Sequence, residues 1–149
     1  MKLLAIAFMM FFGTNVAWLG DFNAAKTQAA QQHKLILVNF SGSDWCGPCI
    51  RLRKEILESA TFEGYAKDHL VLVRADFPRQ KKNQLPKEQV KLNEALADKY
   101  NGEGKFPYTL LIDKNGKVLF EWDGFPNETP DQFVSQIVNV EQTIVKKNS

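Results

Sequence analysis

The chain has 149 residues, 44% of them hydrophobic and 24% charged, with a formal net charge of +2. Such a composition excludes a disordered or membrane-embedded chain, and a charge so close to zero gives no electrostatic case for a nucleic-acid partner. The length suits one domain around one core, and no internal repeat or low-complexity segment divides it.

Lys2 is followed by an apolar run from Leu3 to Phe12 and then by small and polar residues, the layout of a secretory signal peptide. The run is too short to span a bilayer comfortably. Cleavage is expected after Ala17, although Asn15 is atypical two positions earlier, and an uncleaved anchor is the alternative. No cysteine follows the run, which argues against a lipidated new N-terminus. Residues 1–17 therefore read as a leader, and 18–149 as an exported domain.

Asp21 to Gln32 is rich in alanine and glutamine and predicts a first helix, with Asp21 as its cap. Leu35 to Phe40 is an apolar run of the kind found in strands buried on both faces, and Ser41-Gly42 ends it. Trp45-Cys46-Gly47-Pro48-Cys49 follows directly and holds the only two cysteines of the chain. Two thiols separated by Gly-Pro where a helix begins can close into a small ring and reopen, passing two electrons to a partner. The thiolate is the attacking species, and the unpaired N–H groups and dipole of a helix N-terminus favour it at Cys46. Pro48 suits the first turn, where its missing N–H has no intrahelical partner to lose. Cys46 is then the exposed attacker and Cys49, one turn further in, the shielded resolving thiol.

Two other readings of the pair are weaker on physical grounds. A disulfide closing so short a loop constrains the unfolded chain little, so a purely structural role is worth little. Zinc needs more ligands, and His33 and His69 lie at element boundaries without finger spacing to the cysteines. No metal and no cofactor are expected.

Ile50 to Ser59 shows helical spacing, with Leu52, Ile56 and Leu57 inward and Arg51, Arg53, Lys54 and Glu55 outward. Phe62 to Lys67 is a further turn or short helix, and Leu70 to Asp76 a second buried strand ended by Pro78. Arg79, Lys81 and Lys82 form a basic cluster in a polar stretch, read as a solvated loop, with docking of an acidic partner as the alternative. From Pro86 to Tyr100 the residues Val90, Leu92, Ala95, Leu96 and Tyr100 recur at helical intervals. After Phe106-Pro107, strands at Tyr108 to Ile112 and Lys117 to Trp122 flank an Asn115-Gly116 hairpin turn. Thr129 to Val145 is the closing helix, with Thr129 as cap, Pro130 in first position, and Phe133, Ile137, Val140 and Ile144 on one stripe. This order of helix, strand, helix, strand, helix, strand, strand, helix predicts an α/β fold, a mixed sheet covered by helices on both faces.

From about Asp21 onward these features resemble the thioredoxin superfamily. The resemblance rests on a buried strand, Trp-Cys-Gly-Pro-Cys at a helix start, Asp76 closing the next strand, an apolar-Pro pair before a hairpin, and Gly124 past the last strand. It implies a thioredoxin-like fold in which Pro107 is cis and faces the dithiol, while the Phe106 backbone hydrogen-bonds an extended substrate. Trp45, Gly47, Pro48, Phe106 and Pro107 are the implied substrate-binding residues, with Cys46 and Cys49 catalytic. Trp45 has two readings, a flat ring covering a partner's backbone with its indole N–H in water, or a packing residue beneath the loop. Trp122 and Phe125 read as core or rim. The surface around Trp45, Phe106 and Gly124 is the candidate docking patch.

Three departures from the family pattern stand out. Asn39 occupies the position of a buried Asp that assists proton transfer from the resolving cysteine, and Asn cannot act as a base; Asp44, Glu55 or water are the substitutes. The link Ser41-Gly42-Ser43-Asp44 is one residue longer than usual, and the stretch from Phe77 to Gln89 is extended. Exported, elongated versions look like bacterial periplasmic proteins of this superfamily. The expected activity is that of a periplasmic or secreted thiol-disulfide oxidoreductase, a monomer that reduces protein disulfides and is recharged by a membrane-linked thiol reductant. The alternatives are a disulfide oxidant or isomerase, and a non-enzymatic binding or chaperone-like module.

Overall fold

The computed structural model describes residues 16–149. The expected leader therefore lies outside the described residues, apart from Val16 and Ala17. The elements are β1 (Trp18–Leu19), α1 (Phe22–Gln32), β2 (Leu35–Ser41), α2 (Gly47–Leu52), α3 (Ala60–His69), β3 (Leu70–Asp76), α4 (Lys87–Tyr100), β4 (Tyr108–Ile112), β5 (Val118–Asp123) and α5 (Pro130–Asn148). A π-helical turn at Arg53–Leu57 continues α2, and a 3-10 turn covers Lys81–Asn83.

The strands form one sheet in the order β1-β3-β2-β4-β5. β1 and β2 run parallel to β3, whereas β4 is antiparallel to β2 and β5 to β4. Side chains alternate across a strand, so β2 feeds two cores at once. Ile36, Val38 and Phe40 meet Ala25 and Ala29 of α1 and Leu96 of α4 on one face. Leu37 meets Leu52, Ile56, Phe62, Phe133 and Ile137 on the other. That double burial explains the apolar run, interrupted only at Asn39, and confirms the mixed sheet with helices on both faces.

Local signals set most helix starts. Asp21 accepts N–H bonds from Asn23 and Ala24. Ser59 caps α3, and Thr129 with Gln132 forms a capping box on α5 behind Pro130. At the hairpin the Asp113 carboxylate accepts the N–H groups of Asn115 and Lys117, and Gly116 supplies a φ of 89° that other residues avoid. Among the described residues no helix is long and apolar enough to cross a membrane.

Three expectations need correction. β1 is an added edge strand, two residues long, too short to carry a period. The helix expected over Ile50 to Ser59 widens into a π turn that seats both Ile56 and Leu57 inward and leaves Arg53 half-buried rather than outward. α4 is rotated: Leu92 is 40% exposed and Ala95 is exposed, while Asn93 is buried. The cause is polar, because Asn93 Nδ2 donates to the Asp76 carbonyl at 2.8 Å and Asn93 Oδ1 accepts from Gln89 Nε2 at 2.8 Å. The carbonyl at the half-buried end of β3 needs a donor, and that need outweighs the burial of Leu92.

Replacing Asn93 by Ala removes that donor and is expected to lower stability by about 1–3 kcal/mol. Leu92→Ala is expected to stay within about 0.5 kcal/mol. Urea midpoints of the oxidised proteins check both; a larger loss for Leu92→Ala would contradict this packing of α4.

Candidate active site

The site is built where β2 passes into α2. The chain leaves Ser41, and the carbonyl of Gly42 accepts N–H bonds from Trp45 and Cys46 at 3.3 and 2.9 Å. A Cβ at Gly42 would lie 2.3 Å from the Trp45 indole, so only glycine lets the ring fold back on this turn. The Asp76 carboxylate, at the end of the neighbouring strand, receives the Ser43 N–H at 2.9 Å and the Ser43 hydroxyl at 2.5 Å. Strand and turn are thereby tied together.

Cys46 is the N-cap of α2, in extended backbone conformation, with Pro48 in the first turn. Its Sγ accepts the Cys49 N–H at 3.2 Å, the place where an Asp or Ser oxygen caps an ordinary helix. Cys46 and Cys49 form a disulfide with Cα atoms 5.2 Å apart. The expected contrast in exposure is absent: Cys46 is 5% exposed and Cys49 3%, while Gly47 and Pro48 are exposed. In the closed ring the two sulfurs differ in their partners instead. Cys46 Sγ meets the helix terminus, and Cys49 Sγ accepts the Gly42 N–H at 3.5 Å on the strand side.

Phe106-Pro107 is a cis peptide bond, and Pro107 is buried. The Phe106 ring meets Trp45 edge-on at 5.5 Å and Phe77 at 5.5 Å, joining this loop to the dithiol turn. Among the described residues nothing takes the Phe106 backbone N–H or C=O, whereas the Pro107 carbonyl accepts the Gly124 N–H at 2.9 Å. Gly124 has a φ of 84°. Trp122 is buried against Phe133 at 4.5 Å, and Phe125 is half-buried under the Arg51 guanidinium at 4.2 Å, consistent with core and rim.

Trp45 is not the open platform of the first reading. Its Nε1–H donates to the Phe77 carbonyl at 2.8 Å, and the Arg79 guanidinium lies 3.7 Å from the ring centroid. The surface expected to dock a partner thus carries a cation over its largest ring. Asp44 explains how: its carboxylate accepts the backbone N–H groups of Arg79 and Gln80, both at 2.9 Å, and Asn83 Nδ2 at 3.0 Å. The Arg79 N–H, with help from Asn83 and Gln80, holds this carboxyl below its ordinary range. The basic stretch is therefore a bracketed loop. Residues thirty-five apart carry no local pattern, so the charge cluster and the extended stretch from Phe77 to Gln89 were its traces in the sequence.

Asn39 is buried, and its Nδ2 donates to Thr109 Oγ1 at 3.1 Å. Both suggested carboxylates are engaged elsewhere, Asp44 with the loop and exposed Glu55 with Arg51 at 2.8 Å. Beside Asn39 in register stands Arg74, stacked on Trp18 at 4.1 Å, its pKa lowered by burial and then by the charge of Arg53. Among the described residues no cluster of three or more His, Cys, Asp or Glu is placed to hold a metal.

The disulfide at a helix N-cap, the cis Phe106-Pro107 bond and the five-stranded mixed sheet agree with a match of residues 22–141 to the family model described as a thioredoxin-like domain. The chain belongs to the thioredoxin-like family. It is 40% identical over 105 residues to a protein named disulfide bond reductase DsbH from Chlamydia pneumoniae, covering 70% of this chain and 61% of that one. It is 30% identical over 115 residues to the thioredoxin-related protein DsbJ of Chlamydia pneumoniae, covering 77% of this chain and 32% of that one. The chain thus spans less than two thirds of either relative. A solved structure titled DsbH oxidoreductase superposes with a TM-score of 0.77 at 35% identity, covering 85% of each chain.

Asp44→Ala is expected to speed hydrogen exchange at the Arg79 and Gln80 amides in the reduced and oxidised protein alike. Acid acts in the same direction. A carboxyl with a depressed folded pKa contributes fully above its ordinary 3.8 and loses that contribution as pH falls through the folded value. The 77–89 loop is therefore expected to loosen below about pH 4 in the wild type, with no such step in the variant. Equal protection in both proteins would mean that the bracket does not hold the loop.

Proposed function

We propose that this thioredoxin-like protein is an exported disulfide reductase, made with a leader at residues 1–17 and working as the domain 18–149 in the periplasm or outside the cell. The carrying observation is the Cys46 sulfur set as the N-cap of α2, in a two-residue ring with Cys49. The name of the DsbH relative supports the direction, and the apolar leader supports the compartment.

In the reduced form Cys46 Sγ, as thiolate, attacks one sulfur of a substrate disulfide. That S–S bond breaks, its other sulfur leaves and takes a proton, and a mixed disulfide through Cys46 forms. Cys49 then gives up its proton, attacks Cys46 Sγ and closes the ring, and the second substrate sulfur leaves as a thiol. Two electrons and two protons pass from dithiol to substrate. The Phe106 N–H and C=O align an extended substrate beside Pro107, and Trp45, Gly47 and Pro48 form the rim it crosses. With Asn39 in place of a carboxylate, the Gly42 N–H is the group that meets the Cys49 sulfur as its charge develops. An exported dithiol becomes oxidised unless it is resupplied, so a membrane-linked thiol donor returns the two electrons and two protons.

Insulin-disulfide reduction tests the reading. Wild type is expected to reduce insulin, Cys46→Ser to lose the activity entirely, and Cys49→Ser to accumulate mixed disulfides through Cys46. Equilibration with glutathione is expected to give a potential near the reducing end of the known range, about −270 mV, rather than near −120 mV. A value near −120 mV would make the protein an oxidant. Equal inactivity of wild type and Cys46→Ser, with unfolded clients still held, would make it a binding module.

A further inference from the structure

The segment from Phe77 to Gln89 does more than lengthen a connection, because it brings a fixed positive charge to the residue before Cys46. We propose that Arg79, with Lys81 and Lys82, selects disulfides flanked by acidic residues, Arg79 acting as the substrate contact beside the dithiol. The proposal rests on the reductase reading above and adds the chemistry of the client.

Four observations carry it. The Arg79 guanidinium lies 3.7 Å from the centroid of Trp45, the residue adjacent to Cys46. Its position does not depend on the side chain alone, since its own N–H and that of Gln80 are bound by the Asp44 carboxylate. Trp45 is fixed in turn, through Nε1 to the Phe77 carbonyl and edge-on to Phe106. Among the described residues neither Arg79 nor Lys81 nor Lys82 forms an ion pair, and all three are exposed.

Asp44 binds backbone N–H groups rather than any of these three side chains, and its single negative charge leaves Arg79, Lys81 and Lys82 with a positive surplus. A solvated surface arginine swings freely and averages its field over a wide volume. Here the charge is parked on an aromatic face at the mouth of the dithiol, where a carboxylate of an incoming chain meets it without displacing a partner. A client with basic residues at the same place meets like charge. Selection therefore acts on association, and it is screened by salt.

Three peptides containing the same disulfide, flanked by Glu, by Gln or by Lys, test the proposal through their second-order rates of reduction by the full protein. At about 10 mM ionic strength, where charges are felt over about 30 Å, the Glu peptide is expected to react roughly tenfold faster than the Lys peptide. Near 1 M salt, where the range falls to about 3 Å, the ratio is expected to approach one. Arg79→Gln should shrink the low-salt ratio, Arg79→Glu should invert it, and Arg79→Lys should restore part of it. Dividing each rate by that of the Gln peptide removes any general effect of a variant on folding or on the dithiol. Equal rates for the three peptides at low salt would overturn the proposal and leave the reductase reading intact, as would a ratio unmoved by Arg79→Glu. If none of the peptides were reduced, the reductase reading would fall and the proposal with it.

Discussion

One contact organises this molecule: the sulfur of Cys46 takes the place of a capping oxygen at the start of α2 and receives the Cys49 N–H. A helix N-terminus carries several unpaired N–H groups and roughly half a positive charge, so it favours an anion more than a neutral thiol. Everything nearby serves to hold that end of the helix at the mouth of the sheet. β2, buried on both faces, aims the chain; Gly42 permits the reversal; Asp76 fastens Ser43; Trp45 closes against Phe106. The cost of leaving N–H groups unpaired at a helix end becomes the means of activating a thiol.

The second sulfur has a different setting. Cys49 lies toward the strand, with the Gly42 N–H as its polar neighbour and neutral Asn39 on the buried surface of β2. A carboxylate in such a place would raise the cost of a second negative charge and also accept a proton. Asn39 does neither, and the half-buried Arg74 beside it adds positive rather than negative charge. A dithiol site without a buried acid imposes less repulsion on a thiolate than a site with one. Stabilising the reduced form makes a dithiol less reducing, so this feature works against the direction that the name of the DsbH relative suggests.

The parts of the fold legible in the sequence are those with local causes. Leu35 to Phe40 and Leu70 to Asp76 are mostly apolar, interrupted by Asn39 and by Arg74 and Asp76, because helices cover both faces, and the caps at Asp21 and Thr129 act within three residues of themselves. The cysteine pair, the proline at 107 and the glycine at 124 were recognisable by resemblance, and the geometry of each accords with it. What stayed hidden depends on distance in sequence. Asn93 turned inward because a carbonyl at residue 76 needed a donor, and Asp44 found its partners at Arg79, Gln80 and Asn83. Neither pairing leaves a periodic trace. The low exposure of Cys46 was also beyond reach, since it follows from the closed ring and the rim around it.

The thiolate absorbance of the reduced protein, followed near 240 nm from acid to alkaline pH and compared with Cys46→Ser and Cys49→Ser, tests the central claim most directly. The account predicts a first thiolate that forms well below the value of about 8.5 for a free cysteine, persists in Cys49→Ser and vanishes in Cys46→Ser. A first ionisation at or above about 8.5, or one that survives the loss of Cys46, would contradict it.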